Sequence, residues 1–230
     1  MSRRLGKFSF LLALFMVVGC STNGNQLDPE AMLKEQIENL NEVNSYRAEM
    51  TLIQEVDNIQ QKTEVLLLQN MREKSLFFSS LLEGQKMIEL SVLDDIFTMS
   101  LNNQGKFEKT SLSMNELDDS ESLKKSIIIG SFHNFEAFTN LVIEETSNYF
   151  VITGDSTINS LIGMSILDEE IEPYDIEEGA ITIYISKKTN LIEKMYLENV
   201  MNVGGTRIIT KTEAIISDIN RTNNIAQKIG

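Results

Sequence analysis

The chain has no tryptophan, one cysteine, one histidine and two prolines in 230 residues. A single cysteine excludes an internal disulfide, so a packed core must supply the stability even in an oxidising compartment. A single histidine, His133, leaves no second imidazole to complete a transition-metal cluster and argues against histidine-based catalysis. Pro29 and Pro173 stand alone, and no long Ser- or Gly-rich tract follows residue 26, so no interdomain linker is visible. Serine-nucleophile motifs, glycine-rich phosphate loops and paired carboxylates at a catalytic spacing are also missing. No cofactor is implied and no enzyme is expected, although geometry rather than spacing decides such sites and a hydrolase with an unrecognised centre stays a third reading.

Basic residues are scarce. Twenty Lys and Arg face 34 Asp and Glu, for a net charge of -14. A surface of that sign repels phosphates, which argues against nucleic-acid binding and against a basic patch lying on anionic lipid. Asp118-Asp119 and Asp168-Glu169-Glu170 lack the spaced oxygen ligands of a calcium loop and read as solvated charge, so no metal site is expected.

The three basic residues before Gly19, which are Arg3, Arg4 and Lys7, precede an apolar run from Phe8 to Val18. That run is too short to span a bilayer as a mature helix, and with its positive flank it reads as a signal peptide over residues 1–19. Val17-Val18-Gly19-Cys20 resembles the bacterial lipobox, in which the cysteine becomes the lipidated first residue of the mature protein. The resemblance implies a diacylglycerol thioether on Cys20, and two acyl chains hold far more firmly than one because each buried methylene contributes about 0.8 kcal/mol. Residues 20–27 then form a lipidated flexible tether, and residues 28–230 one domain on the extracytoplasmic face of the cell membrane. Loss of the three basic residues takes the mature charge to -17. Roughly 210 residues, with 42% hydrophobic content over the chain, suffice for one sizeable core.

Asp28 as N-cap, Pro29 at the first helical position and Glu30 in the first turn predict a helix carrying Leu33, Ile37 and Leu40 and ending near Asn44. From Tyr46 the period becomes two, with Tyr46, Ala48, Met50, Leu52 and Val56 on one face. Strand-like runs follow at 62–70, 74–82, 86–93, 96–101 and 106–110. They are joined by Glu83-Gly84-Gln85 and Asn102-Asn103-Gln104-Gly105, which tolerate positive φ, and read as an antiparallel meander. Between Leu112 and Leu141 the alternation stops, and 120–125 and 134–138 look helical. A hairpin over 141–153 leads to Asp155-Ser156-Thr157 as the N-cap cluster of a helix with Ile158, Leu161, Ile162 and Ile166. Residues 168–179 read as an acidic loop. Strands at 180–186, 191–201 and 206–219 close the chain, turning at Lys187-Lys188-Thr189-Asn190 and Asn202-Val203-Gly204-Gly205.

This order, together with the lipobox, resembles the LolA and LppX type of lipoprotein. Phe97-Thr98-Met99-Ser100-Leu101 running through Gly105-Lys106-Phe107 to Lys109 is similar to the family's strand, glycine turn and strand ending in an aromatic and a lysine. Lys187-Lys188-Thr189-Asn190-Leu191-Ile192-Glu193-Lys194-Met195 is similar to its lysine-threonine turn and following strand. The likeness covers most of residues 28–219; the lack of tryptophan departs from it. It implies an α+β, mainly β fold, in which a curved antiparallel sheet of about eleven strands forms an incomplete barrel with helices over its concave face. It also implies that acyl chains fit between sheet and helices.

Met50, Leu66, Phe97, Met99, Leu161, Ile162, Met195 and Leu197 are the candidate wall of such a cavity, and each could equally be ordinary core. The expected function is a membrane-anchored lipoprotein binding an apolar or amphiphilic ligand such as a lipid. The alternative is a non-enzymatic envelope interaction protein with a solid core that meets a membrane or wall partner through the acidic loops 118–121 and 168–178.

Overall fold

The structure, a computed structural model, describes residues 27–114, 138–157, 176–221 and 225. Its one helix among the described residues, α1 (Pro29–Asn41), starts where the sequence predicts. The Asp28 carboxylate accepts the amides of Glu30 at 3.0 Å and Ala31 at 3.3 Å, satisfying two donors that the first helical turn leaves open. Pro29 loses nothing at a position whose amide has no helical partner.

Eleven strands follow among the described residues: β1 (Ser45–Val56), β2 (Ile59–Asn70), β3 (Ser75–Leu82), β4 (Gln85–Leu93), β5 (Ile96–Asn103), β6 (Lys106–Ser113), β7 (Phe138–Glu145), β8 (Tyr149–Ser156), β9 (Ile176–Ser186), β10 (Leu191–Val203) and β11 (Thr206–Ser217). They form one sheet in the order β6-β5-β4-β3-β2-β1-β11-β10-β9-β8-β7, antiparallel at every pairing, with β6 and β7 as its open edges. The incomplete barrel implied by the resemblance is thus the observed architecture, with its strand count.

Several hairpins turn through two residues that both have positive φ: Asp57-Asn58, Glu83-Gly84, Asp94-Asp95, Gln104-Gly105 and Gly204-Gly205. Paired positive φ is the type I′ geometry whose twist matches that of the flanking strands, and it suits glycine, asparagine and aspartate.

Three sequence-based expectations are corrected. Asp155 and Ser156 continue β8 beyond the hairpin end expected at residue 153, and there Asp155 pairs with Ala180 and Ser156 with Phe138. Phe138 opens β7 instead of ending a helix, and its ring joins the core. Ile176 to Gly179 belong to β9 rather than to a loop, because a ladder uses backbone groups alone while Glu177 and Glu178 keep their carboxylates in water. The remaining residues expected to be helical, 120–125, 134–137 and 158–166, lie outside the described residues.

Gly179 sits where β8, β9 and β10 crowd together. A Cβ there would lie 1.9 Å from the Ser156 carbonyl oxygen and 2.9 Å from Asn199 Oδ1. A Cβ at Gly105 would meet nothing within 4 Å, so only its φ of 85° opposes a side chain there. Gly179→Ala should therefore cost more than the about 1 kcal/mol expected of Gly105→Ala, because backbone must move to admit it. Urea denaturation of the two variants beside the parent checks the order; equal midpoints would contradict the close approach.

Candidate functional site

Alternation gives the sheet two faces, and the register assigns every residue to one of them. The inner face carries Tyr46, Ala48 and Met50 of β1, paired with Gln69, Leu67 and Val65 of β2. It continues through Leu76 and Phe78 of β3, Ile88, Leu90 and Val92 of β4, and Phe97 and Met99 of β5. In the other direction it runs through Ala214 and Ile216 of β11, Met195 and Leu197 of β10, Ile181, Ile183 and Ile185 of β9 and Ile152 of β8. The apolar side chains among these form one hydrophobic cluster, which also takes Leu33 of α1.

The helix is held there from outside. The Asn39 side chain donates to the Asn190 carbonyl at 3.2 Å, and Asn190 Nδ2 donates to Glu35 Oε1 at 2.9 Å. These bonds fix α1 against the turn between β9 and β10, with Leu33 and Gln36, one turn apart, directed inward and almost wholly buried.

Of the candidate wall residues, Met50, Phe97, Met99, Met195 and Leu197 fall on this inner face and in its cluster. Leu66 does not. It pairs with Glu49 and packs with Leu68, Phe77 and Ile225 in a second, smaller cluster on the opposite face. Leu161, Ile162 and Cys20 lie outside the described residues, as do His133 and nearly all of both acidic loops.

Burial is graded across the inner face. Leu67, Ile152, Ile183 and Ile185 in the middle are fully buried, Ile88, Phe97 and Met99 are half-buried, and Leu101 and Leu112 at the β5–β6 edge are 40% and 39% exposed. Four methionines, Met50, Met99, Met195 and Met201, share the parity of this face, and their unbranched thioethers adapt to irregular shapes.

The buried polar groups of the inner face are neutral. Tyr46 donates its hydroxyl to Gln69 Oε1 at 2.6 Å, and its burial pushes the phenol pKa well above the ordinary range. Asn199, Thr210 and Thr212 form a further buried polar patch where β10 and β11 meet. None of the described buried residues is an Asp, Glu, Lys, Arg or His.

The outer face differs in character. Tyr149, Tyr184 and Tyr196 make a row of edge-to-face contacts with centroids 5.8 Å apart at each step, and Tyr149 and Tyr196 donate to Glu193 and Glu213. Ion pairs Arg47–Glu49, Lys62–Glu64 and Lys211–Glu198 lie along the same side. Among the described residues no group of three His, Cys, Asp or Glu could hold a metal ion.

No family model and no curated protein matches the chain. Among solved structures it is similar to the Mycobacterium tuberculosis lipoprotein LppX, at 14% identity and a TM-score of 0.47, covering 86% of this chain and 100% of that one. It is also similar to a LolA superfamily protein from Nitrosomonas europaea, at 8% identity and a TM-score of 0.30, covering 89% and 98%. A third likeness is to the Pseudomonas aeruginosa MucA/MucB complex, at 10% identity and a TM-score of 0.33, covering 81% and 57%. At these scores the likenesses decide nothing about ligand, partner or role.

Leu67→Ala, in the closed middle of the face, should cost about 2–5 kcal/mol, and Met99→Ala at its half-buried edge clearly less; urea midpoints check this. Tyr46 adds a pH dependence. Its folded pKa is raised above the unfolded value of about 10, so the unfolded chain ionises first, and stability present below about pH 10 is lost as the pH rises beyond it. Tyr46→Phe should flatten that alkaline decline in thermal melts.

Proposed function

We propose that this protein is an extracytoplasmic, membrane-anchored binding protein that holds an apolar or amphiphilic ligand, a lipid, against the inner face of its open sheet, and does no chemistry on it. The observation that carries this reading is the failure of the inner face to close. Its apolar surface continues past the buried centre to Phe97, Met99, Leu101 and Leu112, where solvent exposure of contiguous hydrocarbon is costly unless something covers it. An acyl chain supplies such cover without requiring a fixed shape, and methionines tolerate several shapes.

In this reading Met50, Phe97, Met99, Met195 and Leu197 form the sheet wall. Leu161 and Ile162, in the segment between β8 and β9, belong to its cover. Cys20 carries the diacylglycerol anchor, with the cell membrane as the partner it inserts into. The support for that anchor is the lipobox itself.

The test is native mass spectrometry with lipid extraction on the full-length protein purified from bacterial membranes. A stoichiometric lipid beyond the covalent anchor is expected, and Met99→Lys should abolish it while Ser111→Lys, exposed on the other face of the same wing, leaves it in place. A clean mass that stays clean after incubation with lipid would overturn the binding role in favour of a protein partner. Separately, Cys20→Ala should release the protein to the medium or leave it unprocessed; unchanged membrane retention would overturn the anchor.

A further inference from the structure

Gln36 is fully buried, yet neither its Nε2 nor its Oε1 has a hydrogen-bond partner among the described residues. A buried carboxamide left in that state is costly, because both its donors and its acceptor have given up water. Its place is not accidental to the site. It follows Leu33 by one turn on the inward stripe of α1, and the Asn39 and Glu35 contacts with Asn190 hold that stripe against the sheet. The other carboxamide near this end of the inner face, Gln69, is satisfied by the Tyr46 hydroxyl. Gln36 therefore has hydrogen-bonding capacity on the buried side of α1 with no described group to receive it.

We propose that Gln36 is the specificity-determining residue of the lipid site, where its carboxamide hydrogen-bonds an uncharged polar group of the ligand, an ester or a hydroxyl, next to the acyl chain. This rests on the binding role proposed above. The ligand group is neutral because no described buried residue carries a charge that could pair with a carboxylate or phosphate, and an ionised group buried without a partner is strongly disfavoured. A carboxamide suits the task in a way a leucine cannot, since it donates to an ester carbonyl and also accepts from a hydroxyl.

The test uses full-length protein stripped of co-purified lipid and offered an equimolar mixture of hexadecane, methyl palmitate and palmitate at neutral pH, with bound probes quantified after extraction. The parent should retain the methyl ester over hexadecane by about tenfold, the worth of one well-formed buried hydrogen bond, and over palmitate as well. Gln36→Leu should bring the ester-to-alkane ratio close to one while hexadecane uptake persists. Without ligand, the same variant should melt at a higher temperature than the parent, because it removes an unsatisfied polar group. Gln36→Met, unbranched and similar in length, repeats both readouts with less change of shape.

A parent that takes ester and alkane equally, or a variant that keeps the preference, would overturn the role of Gln36 and leave the lipid-binding role standing. A lower melting temperature in both variants would show that the carboxamide is satisfied within the protein, and preferential uptake of palmitate would refute the neutral headgroup. Uptake of no probe by the parent would overturn the binding role and this inference together.

Discussion

Everything in this fold depends on the pairing of β1 with β11. The other described ladders join strands that follow one another in the chain, whereas this one ties residues 47–56 to residues 208–217. Its closure is entropically the most demanding of the set, although the cost grows only logarithmically with the length of chain enclosed. Packing on the inner side offsets it: Ala48 faces Ile216 and Met50 faces Ala214, so small and large side chains alternate across the seam. At the end of the seam Asn220 fastens both chain segments, accepting the Asn44 amide on its side chain and donating its own amide to the Ser45 carbonyl, each at 2.7 Å. The two wings, β2–β6 and β7–β10, are then placed by hairpins and one longer connection, and their open edges are a consequence of where the seam lies.

Period-two alternation and turn chemistry made most of this legible from sequence. Residues such as Tyr46, Ala48 and Met50 alternate cleanly because one side of β1 faces hydrocarbon and the other water. Legibility failed where that asymmetry failed. Val65-Leu66-Leu67-Leu68 is an unbroken apolar run because both faces are covered there, the inner by the main core and the outer by Phe77 and Ile225, so pattern alone could not place Leu66. The N-terminal end of β2, from Ile59 to Gln61, escaped notice for the opposite reason. It is exposed on both faces, and only its ladder with β1 marks it as strand. Asp94-Asp95 gave no turn signal as strong as Asn-Gly, yet both aspartates adopt the left-handed conformation.

The site was legible in part for the same reasons. Parity put Met50, Phe97, Met99, Met195 and Leu197 on one face, and the structure brings them into one cluster. Gln36 was invisible because a glutamine on an amphipathic helix is ordinarily read as part of the solvated stripe, while Leu33, Ile37 and Leu40 drew the apolar one. Only its burial in the folded structure reveals that the inward stripe of α1 contains a carboxamide.

Charge is segregated with unusual strictness for a chain this acidic. Carboxylates occupy turns, edges and the outer face, where Glu193 and Glu213 receive tyrosine hydroxyls and Glu49, Glu64 and Glu198 meet basic partners. Exposed pairs of that kind contribute little stability, about 1 kcal/mol or less each, so they do not explain the arrangement. What does is the interior: with hydrophobic burial as the main source of stability and no disulfide to assist it, an ionised group on the inner face would cost more than any surface pair returns. That same exclusion leaves hydrogen bonding as the means by which the inner face can discriminate among apolar ligands. Its described buried polar members are hydroxyls and carboxamides, and they are few enough that one unpaired carboxamide can govern the choice.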